Sequence, residues 1–324
     1  MNISDIITQF GAYYLDHGQN RSNLIEAILK PTSMLDLPGV RRMRTRETVI
    51  RTGLDSFGDT LQPYQHQFTP DGTATFKGRT IELQHVKSDI AMNDIDTLEA
   101  SWLGFFTGDN SKDMTQWPIV RYMMEMMWLP KYKENMERLA IYNGVYAQPT
   151  AGTAGTPGTA IDGLRKKLKA MPTTQPHGVH VVNTDALADA TLYTQMKQIA
   201  DAIVDEFGDM KKFYIFVSPE IARAYRHKQL EAKEFVYFKE GDLQSSVLFS
   251  NCEVKGVEAM RGRKEWFATP AENIVYATKM EDGPNAIRIE QNHRDVDLFF
   301  DYWFAVDVWD MQQVFVTNAW DTNE

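Results

Sequence analysis

Hydrophobic residues follow a helical period most clearly between Trp117 and Asn143, which predicts one long helix near the middle of the chain. About 27 residues at a rise of about 1.5 Å each span roughly 40 Å, far more than an average globular helix. The part before Pro130 is apolar on nearly all sides, and the part after it has a narrow apolar face. We therefore expect a kink at Pro130, a buried first half and a second half that lies on a surface.

A stretch of strand character without helical periodicity precedes this helix, from Val49 to Val86. Polar and apolar residues alternate after Thr73, and Pro70-Asp71-Gly72 is a turn signal between two runs. The outgoing strand is interrupted in a way that favours a bent and twisted ribbon, at Gly53, Gly58 and Pro63. An isolated two-stranded ribbon is only marginally stable, and about 40 residues is too long for an ordinary connection. We therefore expect this hairpin to reach a neighbouring subunit.

The flanking segments predict a mixed fold in which most elements are short. Two weakly amphipathic helices are expected between Ile3 and Lys30, and a third helix from Asp94 to Phe106. A Gly/Thr/Pro linker from Gln148 to Thr159 separates the long helix from a segment in which helices and strands alternate. The predicted elements there are helices Asp185–Phe207 and Glu220–Lys228, strands Phe213–Val217, Val247–Val257, Ile274–Thr278 and Ile287–Gln291, and a strand pair within Leu298–Val316.

Composition narrows the function classes. The chain has 324 residues, enough for roughly two domains. Its formal net charge is −10, whereas proteins that bind nucleic-acid phosphates usually carry a positive charge. This charge does not exclude a wall that encloses nucleic acid. The sequence predicts no transmembrane helix and no secretory signal near Met1. The single cysteine, Cys252, excludes an intrachain disulfide framework and indicates a reducing cytoplasm.

One arginine-dense run reverses the sign of charge locally. It comprises Arg41, Arg42, Arg44 and Arg46, with Arg51 close behind. These side chains are either a solvated strand edge, where charge deters aggregation, or a strip that pairs with acidic groups of a neighbouring subunit. Contact with nucleic acid is a third alternative, which the absence of interleaved aromatic residues disfavours.

No catalytic, metal or cofactor site is predicted. His177 and His180 have a common spacing and no third ligand, and Ser218 lies at a strand-to-helix turn without the glycines of a nucleophile elbow. We expect Ser218 to cap a helix and Cys252 to be a buried thiol. No glycine-rich phosphate loop is present, so the sequence predicts no cofactor and no enzyme.

The order of these elements resembles the major capsid proteins of tailed bacteriophages, which have the Hong Kong 97-type fold. The segment IYNGVYAQPTAGTAGTPGTAIDGL is similar to the turn that follows the spine helix in that family, and KFYIFVSPEIARAYRHKQ is similar to its axial strand-turn-helix. The resemblance implies an α+β fold with an N-terminal arm, an extended β-hairpin loop, a peripheral domain built on a long spine helix and an axial α/β domain. The implied boundaries are 1–40 for the arm, 41–92 for the loop, 93–172 and 286–324 for the peripheral domain with its spine helix at 117–143, and 173–285 for the axial domain.

The resemblance also implies a function. A protein of this family assembles with itself as pentamers and hexamers into an icosahedral shell around double-stranded DNA, with portal, scaffold and decoration proteins as further partners. It encloses that DNA without sequence-specific binding and contacts no membrane. It is assembled in the host cytoplasm and is located in the virion. The segment FGAYYLDHGQN is similar to capsid proteins of phages that infect Bacteroidetes, including crAss-like relatives.

Two other functions stay open from the sequence. One is an encapsulin-type nanocompartment shell of the same fold, and the other is a cytoplasmic enzyme whose mobile lid spans Gly53 to His85. For a shell protein, the expected intersubunit contacts are Arg41, Arg42, Arg44, Arg46, Phe68, Phe76 and Trp128.

Overall fold

A computed structural model of the chain describes most of its length. The described residues are 3–16, 18–29, 34–57, 61–67, 69, 74–92, 95–107, 113–114, 116–174, 178–208, 211–232, 246–247, 250–279, 287–292 and 295–321. Within them no helix is long and apolar enough to cross a membrane.

The helices follow the predicted order. Helix α1 (Ile3–Phe10) continues into a π-helical turn, Gly11–Leu15, and is followed by α2 (Gly18–Leu29) and α3 (Ile95–Thr107). The long helix consists of four consecutive segments that alternate between α and π turns: Ile119–Arg121, Tyr122–Trp128, Leu129–Asn135 and Met136–Ile141. Three further helices are Leu164–Thr174, Leu192–Phe207 and Pro219–Ala232.

Twelve strands are present in the described residues. They are β1 (Arg41–Thr45), β2 (Val49–Phe57), β3 (Ala74–Glu82), β4 (Gln84–Met92), β5 (His180–Val182), β6 (Phe213–Val217), β7 (Cys252–Gly256), β8 (Phe267–Thr269), β9 (Ile274–Lys279), β10 (Ile287–Asn292), β11 (Asp295–Val308) and β12 (Phe315–Thr317).

Strand β11 is the centre of the first sheet. It pairs with β4 along one edge, and with β10 and then β9 along the other, all antiparallel. Strand β1 adds to the outside of β9 in the parallel direction. The long helix packs on one face of this sheet, where Trp128 and Tyr132 contact Phe300 with ring centroids 5.4 and 5.7 Å apart.

The second sheet has the order β5-β12-β8-β6-β7. All five residues of β6 are buried, as the continuous apolar run Phe213–Val217 predicts. The helices Leu192–Phe207 and Pro219–Ala232 contribute Ile199 and Tyr225 to the core that packs against this sheet. Ser218 caps the second of them, because the backbone N–H of Ile221 donates to Ser218 Oγ at 3.4 Å.

The third sheet is the hairpin of β2 and β3. Among the side chains that the structure describes in the hairpin, those at its base join a hydrophobic cluster with the body of the protein. In that cluster, Ile50, Ile81 and Leu83 pack against residues of β9 and β11. Nearer the tip, Leu61 and Tyr64 are exposed, so the body does not cover this described part of the hairpin.

The N-terminal helices dock on the chain's own body. Their apolar residues are buried in the main hydrophobic core together with those of the long helix and β11: Ile6, Phe10, Tyr14, Leu24 and Ile28. The expectation that such short helices need a partner surface is met within the same chain. The described part of the arm therefore offers few apolar groups to a neighbour.

Several sequence-based expectations are wrong in detail. The helix expected from Asp185 begins at Leu192, because Gln195 bonds the backbone at Asp185, Ala186 and Ala188 and holds a turn there. The expected strand pair in Leu298–Val316 does not form, since β11 and β12 lie in different sheets. The implied domain boundaries stay predictions. In the sheets, β9 pairs with β1 and β11, β4 pairs with β11, and β12 pairs with β5.

Candidate assembly surfaces

Arg79 fixes the base of the hairpin to the body. Its guanidinium donates to the backbone carbonyl of Val308 at 2.6 Å and forms an ion pair with the carboxylate of Asp307. On the opposite strand, Thr52 Oγ1 donates to the backbone carbonyl of Trp309 at 3.4 Å. Arg79 and Asp307 are 228 positions apart, so this ion pair joins two segments that are distant in the sequence.

Asp307 also binds a second cation. Lys167 lies with its Nζ 3.3 Å from Asp307 Oδ2 and donates to the carbonyl of Val306 at 2.8 Å. Because the Asp307 side chain is only 3% exposed, these partners supply the compensation that a buried carboxylate needs. A polar cavity of about 260 Å³ adjoins this anchor. Its charged lining groups are Arg79, Glu82, Asp162, Lys167 and Asp307, of which Arg79 and Lys167 both pair with Asp307.

The far part of the hairpin exposes two large apolar side chains. Leu61 and Tyr64 are each 94% exposed, the highest fractions among the large apolar residues of the described chain. Hydrogen bonds within the loop shape the backbone around them: Gln62 donates to the carbonyl of Thr69 at 2.7 Å, and Gln65 donates to Gln62 at 3.2 Å. A monomer gains nothing from displaying these groups, so this tip is a candidate contact surface.

Two of the expected hairpin contacts cannot be placed by their side chains. Phe68 lies outside the described residues, and Phe76 is described only as backbone in β3, opposite Asp55. Both stay predictions.

The long helix has an outer face that changes character along its length. Met126 and Met127 are 46% and 48% exposed, although the sequence predicted that this half is buried. Beyond Pro130 the outer face becomes charged, and Glu134 bonds both Lys131 and Arg138, at 2.9 and 3.0 Å. The exposed methionines therefore form an apolar patch on an otherwise solvated helix face, which is typical of contact surfaces.

Trp128 is buried in the core of its own chain, and its expected role as an intersubunit contact stays a prediction. It is only 4% exposed within its own chain, stacks on Tyr132 at 5.2 Å and donates from Nε1 to Ser88 Oγ at 3.2 Å. Little of its surface is left for a neighbour to bury. The sequence could not separate Trp128 from Met127, because periodicity alone does not say which side of an all-apolar helix faces its own sheet.

The arginine run lies at a sheet edge. Strand β1 is the terminal strand of the first sheet, and Arg41 stacks over the ring of Trp309, 4.5 Å from its centroid. Arg42 is 3.6 Å from Asp36 in a solvent-exposed pair. Arg44 and Arg46 are exposed. This placement fits a solvated strand edge, and pairing with a neighbouring subunit stays a prediction.

The turn after the long helix depends on two glycines. A Cβ on Gly144 or Gly163 would lie 2.5 Å from backbone oxygens, because the two segments touch backbone to backbone. The N–H of Gly163 donates to the carbonyl of Gly144 at 2.9 Å. This close approach explains the glycine of IYNG and the glycine of DGL.

A buried carboxylate joins this turn to the second sheet. Glu265 is fully buried and accepts from Arg165 Nε at 2.7 Å, Tyr142 Oη at 2.8 Å and the N–H of Asp321 at 3.2 Å. Burial, followed by the charge of Glu265, raises the pKa of Tyr142 well above its usual value. The network links the long helix, the Leu164–Thr174 helix and the last described residues.

The residues weighed for chemistry have structural roles. The His180 ring is 2.9 Å from the carbonyl of Gln312 and stacks on Phe315, while His177 lies outside the described residues. Cys252 is buried, as expected. Among the residues that the structure describes, no group of His, Cys, Asp and Glu side chains could hold a metal ion.

Comparison with solved structures identifies the fold. The satellite phage P4 procapsid that includes size determination (Sid) protein is 13% identical, and the match covers 97% of each chain with a TM-score of 0.58. The chain has the Hong Kong 97-type capsid fold. The capsid of an empty GTA particle is 12% identical over 90% of this chain and 91% of that one, with a TM-score of 0.53. The capsid of the cyanophage P-SCSP1u is 10% identical over 90% and 89%, with a TM-score of 0.50.

The capsid fold confirms the predicted α+β class and the long helix at its centre. No protein-family model and no curated protein matches the chain in sequence. These likenesses do not support the narrower similarity to phages of Bacteroidetes. Sequence reasoning also missed Asp307 and Glu265, since an isolated acidic residue in a strand or loop gives no local sign of a distant partner.

Proposed function

We propose that this chain is the major capsid protein of a tailed bacteriophage and assembles with itself as pentamers and hexamers into an icosahedral shell around double-stranded DNA. The observation that carries the proposal is the projecting hairpin, which is bonded to the body at Arg79 and displays Leu61 and Tyr64 almost entirely to solvent. Covering these side chains with another molecule removes apolar surface from water, which stabilises the contact. The capsid fold supplies the architecture in which a second copy does so.

The geometry also supports a mode of assembly. The hairpin tip of one copy covers the outer face of the long helix of the next, where Met126 and Met127 are half-exposed. Apolar tip and apolar patch are complementary, and methionine adapts to an incoming aromatic ring. Repetition of this head-to-tail contact around an axis closes a ring of subunits.

The acidic charge of the chain is consistent with a shell that encloses nucleic acid rather than with a protein that binds a nucleic-acid sequence. With a formal net charge of −10, the shell encloses its genome without gripping it in a sequence-specific manner. Portal, scaffold and decoration proteins complete the proposed virion, and assembly takes place in the host cytoplasm.

Substitution at the tip tests this function. Leu61→Asp and Tyr64→Asp place a charge in the proposed apolar contact, so each variant should remain folded and lose shells. Gln67→Asp adds the same charge to the same loop at an exposed polar position outside the Gln62–Gln65 bond and is the matched control. Normal shells from both tip variants, measured by sedimentation and negative-stain microscopy, would contradict the proposal.

The contents of purified particles distinguish the alternatives. Double-stranded DNA behind a portal vertex supports the phage capsid, and a protein cargo without DNA indicates a nanocompartment. A discrete oligomer of a few subunits with substrate turnover indicates an enzyme.

A further inference from the structure

Two glycines face each other across the hairpin. In the register of β2 and β3, Gly53 lies directly opposite Gly78. Contacts between opposed side chains are what normally stiffen a two-stranded ribbon, and this pair has none to offer. A glycine within a strand weakens it and commonly marks a bend.

The structure gives no steric reason for glycine at one of these positions. A Cβ added at Gly78 would meet no atom within 4 Å, and the φ angle of Gly78 is not in the left-handed region. This differs from Gly144 and Gly163, where a Cβ would strike the backbone. What glycine supplies at position 78 is therefore freedom of the backbone rather than space.

The pair also lies at a boundary in the hairpin. The neighbouring pair on the side of the body is Thr52 and Arg79, and both of these bond the end of β11. On the far side, residues 54–57 pair with 74–77 and lead to the exposed tip. The glycine pair thus comes directly after the outermost residue pair whose described side chains bond to the body.

We propose that the Gly53–Gly78 pair is a pivot at which the outer part of the hairpin swings relative to the body. Four further residue pairs at about 3.3 Å each extend about 13 Å beyond it, so a bend of about 30° moves the end of the paired ribbon by about 7 Å. In a shell, such a pivot lets one chain reach neighbours that are set at different angles. Only this use rests on the proposed function, because the pivot belongs to the isolated subunit.

Distances between two spin labels on the isolated subunit test the pivot. Gln67→Cys labels the tip and Glu272→Cys labels the body, at two exposed positions. The one native cysteine, Cys252, is buried, and the unsubstituted chain reports how much label it takes up. The pivot predicts a broad distance distribution, which Gly53→Val with Gly78→Val should narrow by at least about twofold.

Matched variants keep the result interpretable. Ser56→Val with Thr75→Val strengthens another opposed pair of the same ribbon, beyond the proposed pivot, and should leave the width unchanged. Gly53→Ala with Gly78→Ala is a milder change that should narrow the distribution less than valine, and it replaces the valine pair if that variant does not fold. If the distance distributions of the parent chain, the alanine pair and the valine pair have equal widths, the pivot is overturned.

A second readout separates the pivot from the proposed function. Shell yield of the valine pair should fall by about threefold or more relative to the Ser56 and Thr75 control. If the valine pair narrows the distance distribution but the parent chain never forms shells, the pivot is supported and the proposed function is contradicted. If the parent chain forms shells but the valine pair leaves the width of the distribution unchanged, the proposed function is supported and the pivot is contradicted.

Discussion

The hydroxyl groups of Tyr132 and Tyr302 form a buried hydrogen bond of 2.7 Å that joins the long helix to the central strand β11. Burial raises the pKa of both phenols above the usual value, so both groups remain neutral across the physiological range. The bond satisfies two polar atoms that would otherwise be enclosed without a partner.

A double-mutant cycle measures this contact. Tyr132→Phe or Tyr302→Phe alone leaves the other hydroxyl buried and unpaired, so each should lower the free energy of unfolding by about 1–3 kcal/mol. The double phenylalanine variant removes both groups and should lie closer to the parent than the sum of the single changes. Urea unfolding of the isolated subunit provides these values, and simple additivity would show that the bond contributes nothing.

Neighbouring residues of the long helix should behave in opposite ways. Trp128→Ala empties a fully packed site and should cost about 3–5 kcal/mol of subunit stability. Met127→Ala removes a half-exposed side chain, so it should leave subunit melting nearly unchanged while it reduces particle yield. Both quantities are measured on both variants, and a Met127→Ala chain with normal yield would remove this patch from the proposed interface.

The loop after the long helix should respond to acid through Asp162. Partial burial acts to raise the pKa of Asp162, but the bonds from Lys166 at 2.6 Å and from the N–H of Tyr146 at 2.8 Å outweigh it and lower the pKa. A carboxylate with a lowered folded pKa stabilises the fold above its unfolded pKa of about 4 and loses this contribution as the pH falls through the folded pKa.

Asp162→Asn should therefore destabilise the subunit at pH 7 and differ less from the parent as the pH falls below about 4. Thermal melting across this range provides the measurement. Asp36→Asn is the control, because it removes a carboxylate from a loose and exposed pair with Arg42. A deficit in Asp162→Asn that is the same at every pH would contradict the assigned charge state.

Charge reversal tests the arginine run. If Arg44 and Arg46 pair with acidic groups of a neighbouring copy, Arg44→Glu with Arg46→Glu should weaken assembly, and the loss relative to the parent should be greatest at low salt and shrink as added salt screens the charges. Equal assembly across the salt range would favour the solvated edge of β1. Intact shells that retain less DNA would instead favour contact with the genome.

The sequence predicted elements that depend on local pattern. The long helix and strand Phe213–Val217 follow from periodicity and a continuous apolar run, and the structure confirms both. Register between distant segments has no local signal. The sequence could not show that β1 pairs with β9, that Gly53 faces Gly78, or that Arg79 meets Asp307.

The candidate surfaces were predicted only in part, for the same reason. The sequence identified the hairpin by its length, but Leu61 and Tyr64 were not singled out, because exposure depends on where the ribbon leaves the body. It assigned Trp128 to an interface and the first half of the long helix to the interior. The structure shows that one side of this helix faces its own sheet and the other faces solvent.

Electron cryo-microscopy of particles formed by the full chain tests the central claim most directly. The proposal predicts closed shells with fivefold and sixfold clusters, in which Leu61 and Tyr64 of one copy are buried against the long helix of the next. A chain that remains monomeric or forms a small discrete oligomer, with its hairpin tip covered by its own body, would contradict it.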